Sequence, residues 1–348
     1  MKRQPIFSGV LGLLLTAVLC FALASPGAHA QDADKIKAIS MRIAHAAPTS
    51  DPRHLGALEI KKYLESQSKG KVKVDVFPAG QLGEDRDLIE AVQGGGVQIA
   101  ILPTAFMGGF QPLMTLLDVP YLFPQDPALA RKVIDGPAGD ALLKTLDAVR
   151  IVGLDFWESA YKHFSANKPL RTIGDFKGLK FRVMPSDMLI TMIKAFGGSA
   201  ITFPYSEVYT GLQTGAIDGQ EASLTSIYNM KFHEVQKFIT RTYHIKSEFL
   251  ILGSKIWFDG LNDETRALVR KAVNEGARVN AAAKKEEEEK AVASIQKTGT
   301  KIVDLTPDEI QKFREATHSP CLSVYVKKNG ERGQKLADQV KQELARTK

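Results

Sequence analysis

The sequence predicts an α/β protein made of two strand-and-helix units tied together by one long helix. Three observations carry this. Strand and helix patterns alternate from Met41 to Leu102, the alternation resumes after about Ala160, and no proline interrupts the chain from Asn262 until Pro307. Alternating strands and helices are the signature of α/β architecture.

In chain order, the first segment is a leader rather than part of the fold. Lys2 and Arg3 precede an apolar stretch from Val10 to Ala24, and Ala28-His29-Ala30 follows Pro26. That is the pattern of a secretory peptide with cleavage after Ala30, and the apolar core is short for a span of about 20 residues. Leu19 stands where a lipid-anchor signal at Cys20 needs a small residue. Cleavage leaves Cys321 as the only cysteine, which excludes an internal disulfide. Of 348 residues, about 300 remain, enough to bury a core without one.

Met41 to His45 then reads as a strand ending in the Pro48-Thr49-Ser50-Asp51-Pro52 turn. Leu55, Leu58, Tyr63 and Leu64 recur at helical spacing, and Gly70 stops that helix. Val72, Val74 and Val76 alternate with Lys71, Lys73 and Asp75, a half-buried strand. A helix from near Glu84 to Gly94-Gly95-Gly96 and a buried strand from Val97 to Leu102 complete the first unit, with a parallel sheet expected. In the second, Leu179, Phe181 and Val183 alternate with polar neighbours. A helix from Asp187 to Phe196 and a strand from Ala200 to Phe203 follow. Ser206 is expected to cap a helix running to Gln213 with Gly215 past its end, and Ile217 to Glu221 is a short strand and turn. From Asn262 to about Lys297 the chain is rich in Ala, Glu, Lys and Arg. A continuous helix there would be roughly 50 Å long and reach across both units. The alternative is two helices broken near Gly276.

Charge and motifs exclude several functions. The formal net charge of +7 falls only by Lys2 and Arg3 on cleavage, and no basic run is interleaved with aromatics, so nucleic acid is not an expected partner. The dense block Lys284 to Lys290 mixes signs and reads as a solvated helix face. There is no Gly-x-Ser-x-Gly elbow and no phosphate loop, and Gly94-Gly95-Gly96 lacks the dinucleotide-binding pattern. The histidines lack metal-ligand spacing, and the adjacent acids Glu84 and Asp85 suit a helix start. No enzyme, cofactor or metal centre is therefore expected. Arg182 stands out: it lies late in a strand, where ligands of open parallel sheets bind, and its fork of donors matches a carboxylate. A surface arginine paired with an acid is the plainer reading of the same residue.

Four stretches resemble one family. They are Phe77-Pro78-Ala79-Gly80-Gln81-Leu82-Gly83-Glu84-Asp85-Arg86, Asp175 to Val183 around Arg182, Tyr205-Ser206-Glu207-Val208-Tyr209 with Leu212 to Glu221, and Lys231 to Lys237. Together they are similar to the substrate-binding proteins of tripartite ATP-independent periplasmic (TRAP) transporters, from about Met41 to Val303. The resemblance implies a two-lobed periplasmic binding protein fold of α/β class, with hinge strands and a long helix spanning both lobes. Residues 31–159 and 248–287 would form the first lobe, and 160–247 and 288–348 the second. It implies a periplasmic, monomeric protein that captures a small organic acid, such as a C4-dicarboxylate, and delivers it to a small and a large membrane subunit. Arg182 would bind the carboxylate, Tyr205 would lie over the ligand, and Asp85 and Glu221 would line the cleft. Ala222 departs from the family pattern, where many acid-binding members carry asparagine. Lys162 stands near the position of a second arginine, and is either a second cation or a solvated surface lysine. The apolar segment Leu102 to Met107 suggests a partly apolar ligand. A binding component of an ATP-driven transporter, or a sensor, taking a sulfonate or sugar acid, would share these lobes.

Overall fold

The computed structural model describes residues 33–347; the leader and its cleavage after Ala30 lie outside them. The first unit runs β1 (Ile39–Ala44), α1 (Pro52–Gln67), β2 (Val72–Phe77), α2 (Asp85–Gln93) and β3 (Ile99–Pro103). Two 3-10 segments, Thr104–Gly109 and Pro112–Asp118, lead to α3 (Pro127–Ile134), α4 (Pro137–Thr145) and the long strand β4 (Ile151–Tyr161). The second unit comprises β5 (His163–Ala166), β6 (Lys180–Val183), α5 (Asp187–Ala195), β7 (Ser199–Thr202), α6 (Val208–Thr214), β8 (Gly219–Ala222), α7 (Leu224–Asn229) and β9 (Phe238–Arg241). Then come β10 (Lys246–Ser254), α8 (Lys255–Asp259), α9 (Asp263–Lys297), β11 (Lys301–Asp304) and α10 (Pro307–Thr347).

Two mixed sheets result. The first has the order β2-β1-β3-β10-β4, and the second β11-β9-β5-β8-β6-β7. In the first, β1 is parallel to β2 and β3, but β10 runs antiparallel to both β3 and β4. The expected parallel sheet is thus only the outer half of a mixed one. The chain passes between sheets at Lys162 and returns between Arg241 and Lys246, so β4 and β10 are paired strands whose ends meet the second unit. Strands in this position, with few residues joining two sheets, are suited to act as hinges.

The long helix is continuous. Leu268, Val269, Ala272 and Val273 pack in the core of the first sheet, and Ala291 and Ile295 in the core of the second. Gly276 does not break it, because it is a close-approach glycine. A Cβ there would lie 2.6 Å from the Trp157 ring and 2.8 Å from the Gly56 carbonyl, and Gly56 on α1 faces it reciprocally. Removing both side chains lets α1 and α9 close over Trp157; filling the gap would overpack it at a cost of about 1–3 kcal/mol. The same contact corrects the reading of α1. Its buried face is Gly56, Ala57, Ile60 and Leu64, whereas Leu55 and Leu58 are exposed. Periodicity chose the larger side chains, but the tight crossing selects small ones.

Ser206 does not cap a helix either. It lies inside a 3-10 turn, Tyr205–Glu207, whose last residue is the N-cap of α6, and Gly215 closes that helix in the left-handed region at φ 75°. The C-terminal α10 kinks at Gly330 and touches both units: Tyr325 donates to the Leu113 carbonyl (3.1 Å), and Cys321 lies 3.5 Å from the Met188 carbonyl.

Candidate binding site

The carboxyl ends of β3, β6 and β8 face the same cleft, as expected for an α/β sheet whose loops carry function. A cavity of about 480 Å³, open to solvent, lies there, and all five sequence-predicted residues line it: Asp85, Lys162, Arg182, Tyr205 and Glu221.

Arg182 occupies β6 between the apolar Phe181 and Val183 and is 3% exposed. Its Nε and Nη2 both donate to the Phe203 carbonyl, at 3.2 and 3.0 Å. This backbone acceptor fixes the guanidinium, yet it uses only part of a five-donor group. Among the described residues no carboxylate is within ion-pair distance of Arg182, so the reading as an arginine paired with an acid fails. Burial lowers its pKa, opposed by the more distant charges of Glu221, Tyr205 and Asp85. The same loop supplies Tyr205, whose buried hydroxyl has no hydrogen-bond partner. Burial is the main reason that phenol is pushed up to about 12.

Lys162 is not a solvated surface lysine. It is 5% exposed, and its Nζ lies 3.1 and 3.0 Å from the two oxygens of Glu221 on β8. His244 stands behind Glu221 at 3.5 Å. Burial alone would raise the Glu221 pKa, but Lys162 and His244 outweigh it and hold the carboxylate ionised. Asp85, the first residue of α2, is 2% exposed and its Oδ1 has no partner. The neighbouring Glu84 and Asp87 form the capping box instead. Burial pushes Asp85 up to about 7, against the pull of Arg53 and Arg182 and with the help of Glu84.

Arg53 is the residue that sequence reading missed. It follows the N-cap Asp51 and Pro52, and is 3% exposed. Two donors reach Asp51, Nε to Oδ1 and Nη2 to Oδ2, both at 2.9 Å. The guanidinium lies 4.1 Å from the Phe249 ring centroid, a cation–π contact within the cavity wall. A signal was present: a cation in the first turn of a helix opposes the macrodipole, so it needs another reason to be there. Ser159 and Ser247 add hydroxyls from the two hinge strands. Pro103 and Phe106 are the apolar contribution of the Leu102 to Met107 segment. Ala222 presents only a methyl group, and Ser223 caps α7 through its Oγ. Among the described residues no cluster of three metal-capable side chains occurs, and no helix is long and apolar enough to cross a membrane.

Comparison with known proteins gives these features a family. Residues 43–328 match the profile of the bacterial extracellular solute-binding proteins, family 7. The chain is 32% identical over 308 residues to the 2,3-diketo-L-gulonate-binding periplasmic protein of Escherichia coli, covering 88% of this chain and 93% of that one. It is 34% identical over 310 residues to the C4-dicarboxylate-binding periplasmic protein of Rhodobacter capsulatus, covering 88% and 90%. A TRAP periplasmic solute-binding protein from Desulfovibrio salexigens, solved with bound orotic acid, superposes with a TM-score of 0.86 at 34% identity. That match covers 89% of this chain and 99% of the other. The chain belongs to this family of periplasmic solute-binding proteins, a transport family rather than an enzyme family, and has its two-lobed fold.

Proposed function

We propose that this family member captures a small organic acid by seating its carboxylate on Arg182 and closing the two lobes over it. The observation that carries the reading is a buried guanidinium that lines the cavity, held there by a backbone carbonyl, with no carboxylate within ion-pair distance among the described residues. The ligands named for the relatives support it: diketogulonate, a C4-dicarboxylate and orotate each carry a carboxylate. A charge-assisted bond of this kind contributes on the order of 1.5–3 kcal/mol.

Each other residue has a role in this reading. Tyr205 offers its hydroxyl and ring, Asp85 meets a polar group of the ligand, and the Lys162–Glu221 pair forms the wall behind Arg182. Hinge motion at the β4 and β10 ends opens and closes the cleft, with the lobes divided near Ala160, residue 247 and residue 287. The protein acts after export and removal of the leader, as a periplasmic monomer, and passes the unaltered acid to the TRAP membrane subunits. Binding rather than catalysis is its task.

A thermal-shift screen over mono- and dicarboxylates, keto acids, sugar acids and sulfonates identifies ligands, since ligand raises Tm by mass action. Titration calorimetry then tests the anchor. Arg182→Ala is expected to weaken binding at least about tenfold, roughly 1.4 kcal/mol, and Arg182→Lys to be impaired because the fork is lost. Unchanged affinity in Arg182→Ala rejects the reading. Recovery of a chemically altered ligand rejects the binding-only role.

A further inference from the structure

Three cations line the cavity, and they are not equivalent. Arg53 is held by both oxygens of buried Asp51, and Lys162 by both oxygens of buried Glu221. Arg182 alone contacts a neutral acceptor, the Phe203 carbonyl. The first lobe contributes one more ionisable group to the cavity, Asp85, with its buried Oδ1 unpartnered.

A ligand with one carboxylate neutralises Arg182. A second carboxylate adds a negative charge for which the described residues lining the site leave no unpaired cation, whichever protonation state Asp85 adopts. Uncompensated charge in a desolvated site is costly. Recruiting Arg53 or Lys162 would strand Asp51 or Glu221, transferring the same cost to a buried protein carboxylate. A hydroxyl has no such penalty, since it can donate to the Asp85 carboxylate or accept from its acid form.

We propose that the site selects an organic acid with a single carboxylate on Arg182 and a hydroxyl within reach of Asp85, over the dicarboxylate of the same chain length. This rests on Arg182 being the anchor. The charged groups acting on Asp85 are Arg53 from α1, the adjacent Glu84, and Arg182 from β6. Burial outweighs the two arginines and holds Asp85 near 7, so both of its forms are accessible at neutral pH.

The test is titration calorimetry of the mature protein with two matched pairs, 4-hydroxybutyrate against succinate and galactonate against galactarate. In each pair that binds, the monoacid is expected to bind at least about tenfold tighter. Asp85→Asn should narrow that ratio by weakening the hydroxy acid about threefold or more, while the monoacid stays ahead because the second charge of the diacid still meets no unpaired cation. A diacid that binds as tightly as its monoacid, while Arg182→Met abolishes binding of both, overturns the selectivity and leaves the anchor standing. A wild-type preference that Asp85→Asn does not alter overturns the role of Asp85. Binding unchanged in Arg182→Met, or no binding by any of the four acids, overturns the anchor and the selectivity together.

Discussion

Two clusters of charge among the described residues are largely shielded from solvent, and they differ in one respect. At the hinge, Glu248 on β10 receives Lys246 at 2.7 Å and Arg131 of α3 at 3.2 Å. Glu158 on β4 receives Lys284 of α9 at 2.6 Å, and Lys246 and Lys284 both donate to the Ser159 carbonyl. Each of these charged groups is paired. In the cleft, Arg53 and Lys162 are paired as well, but Arg182 and Asp85 are not. A buried charge without a partner destabilises a fold, so a cluster that is only structural pairs its charges completely. In the function proposed above, the unpaired two are where the ligand completes the set. The hinge cluster ties α3, β4, β10 and α9 together.

The sharpest break of this contrast is Glu248→Ala. It leaves Lys246 buried without its closest carboxylate and is expected to cost about 3–5 kcal/mol of stability in chemical denaturation. A loss under about 1 kcal/mol would mean that the hinge charges are not structural. Next comes pH. Asp85 has a folded pKa raised from 3.8 to about 7, so the folded state binds its proton more tightly than the unfolded state. That contribution is present below about pH 4 and is lost as pH rises through about 7, with a slope of at most about 1.4 kcal/mol per pH unit. Buried Asp118 is also pushed up to about 7, mainly by desolvation against the nearby Lys162, and acts in the same direction. The ligand-free Asp85→Asn protein should therefore gain on the wild type as pH rises from 4 to 7; parallel stability curves would refute the raised pKa.

Arg182→Met sharpens the comparison from the other side. Because no carboxylate is ion-paired with Arg182 among the described residues, stability is expected to stay within about 1 kcal/mol of the wild type in thermal unfolding. A large loss would make Arg182 a structural residue like Lys246. The smallest effect is expected at Lys290, whose ion pair with Glu286 is solvent-exposed. Lys290→Ala should leave Tm unchanged, as exposed pairs contribute little.

Local signals explain what the sequence made legible. Arg182 was readable because Phe181 and Val183 place it on a short strand that ends at a turn, and the alternating valines of β2 behaved the same way. The long helix was readable from its capping Asn262 and the missing prolines. What remained hidden depends on partners far along the chain. Lys162 and Glu221 are 59 residues apart, and nothing local tells a paired buried lysine from a solvated one. The strand β10 is buried along its whole length, yet it contains Lys246 and Glu248, which obscure the apolar run a buried strand should show. On α1, Leu55 and Leu58 point outward because Gly56 must meet Gly276. Arg53 was hidden for a different reason: its Asp-Pro-Arg context reads as a turn, and only the fold brings that arginine into the cleft wall.

A crystal structure of the ligand-bound protein tests the central claim most directly, through the contact between Arg182 and the ligand. The account predicts a carboxylate oxygen about 2.7–2.9 Å from the Arg182 guanidinium, with the Phe203 carbonyl still bound on its other edge. A carboxylate seated instead on Arg53 or Lys162, with Arg182 holding only Phe203, would contradict it.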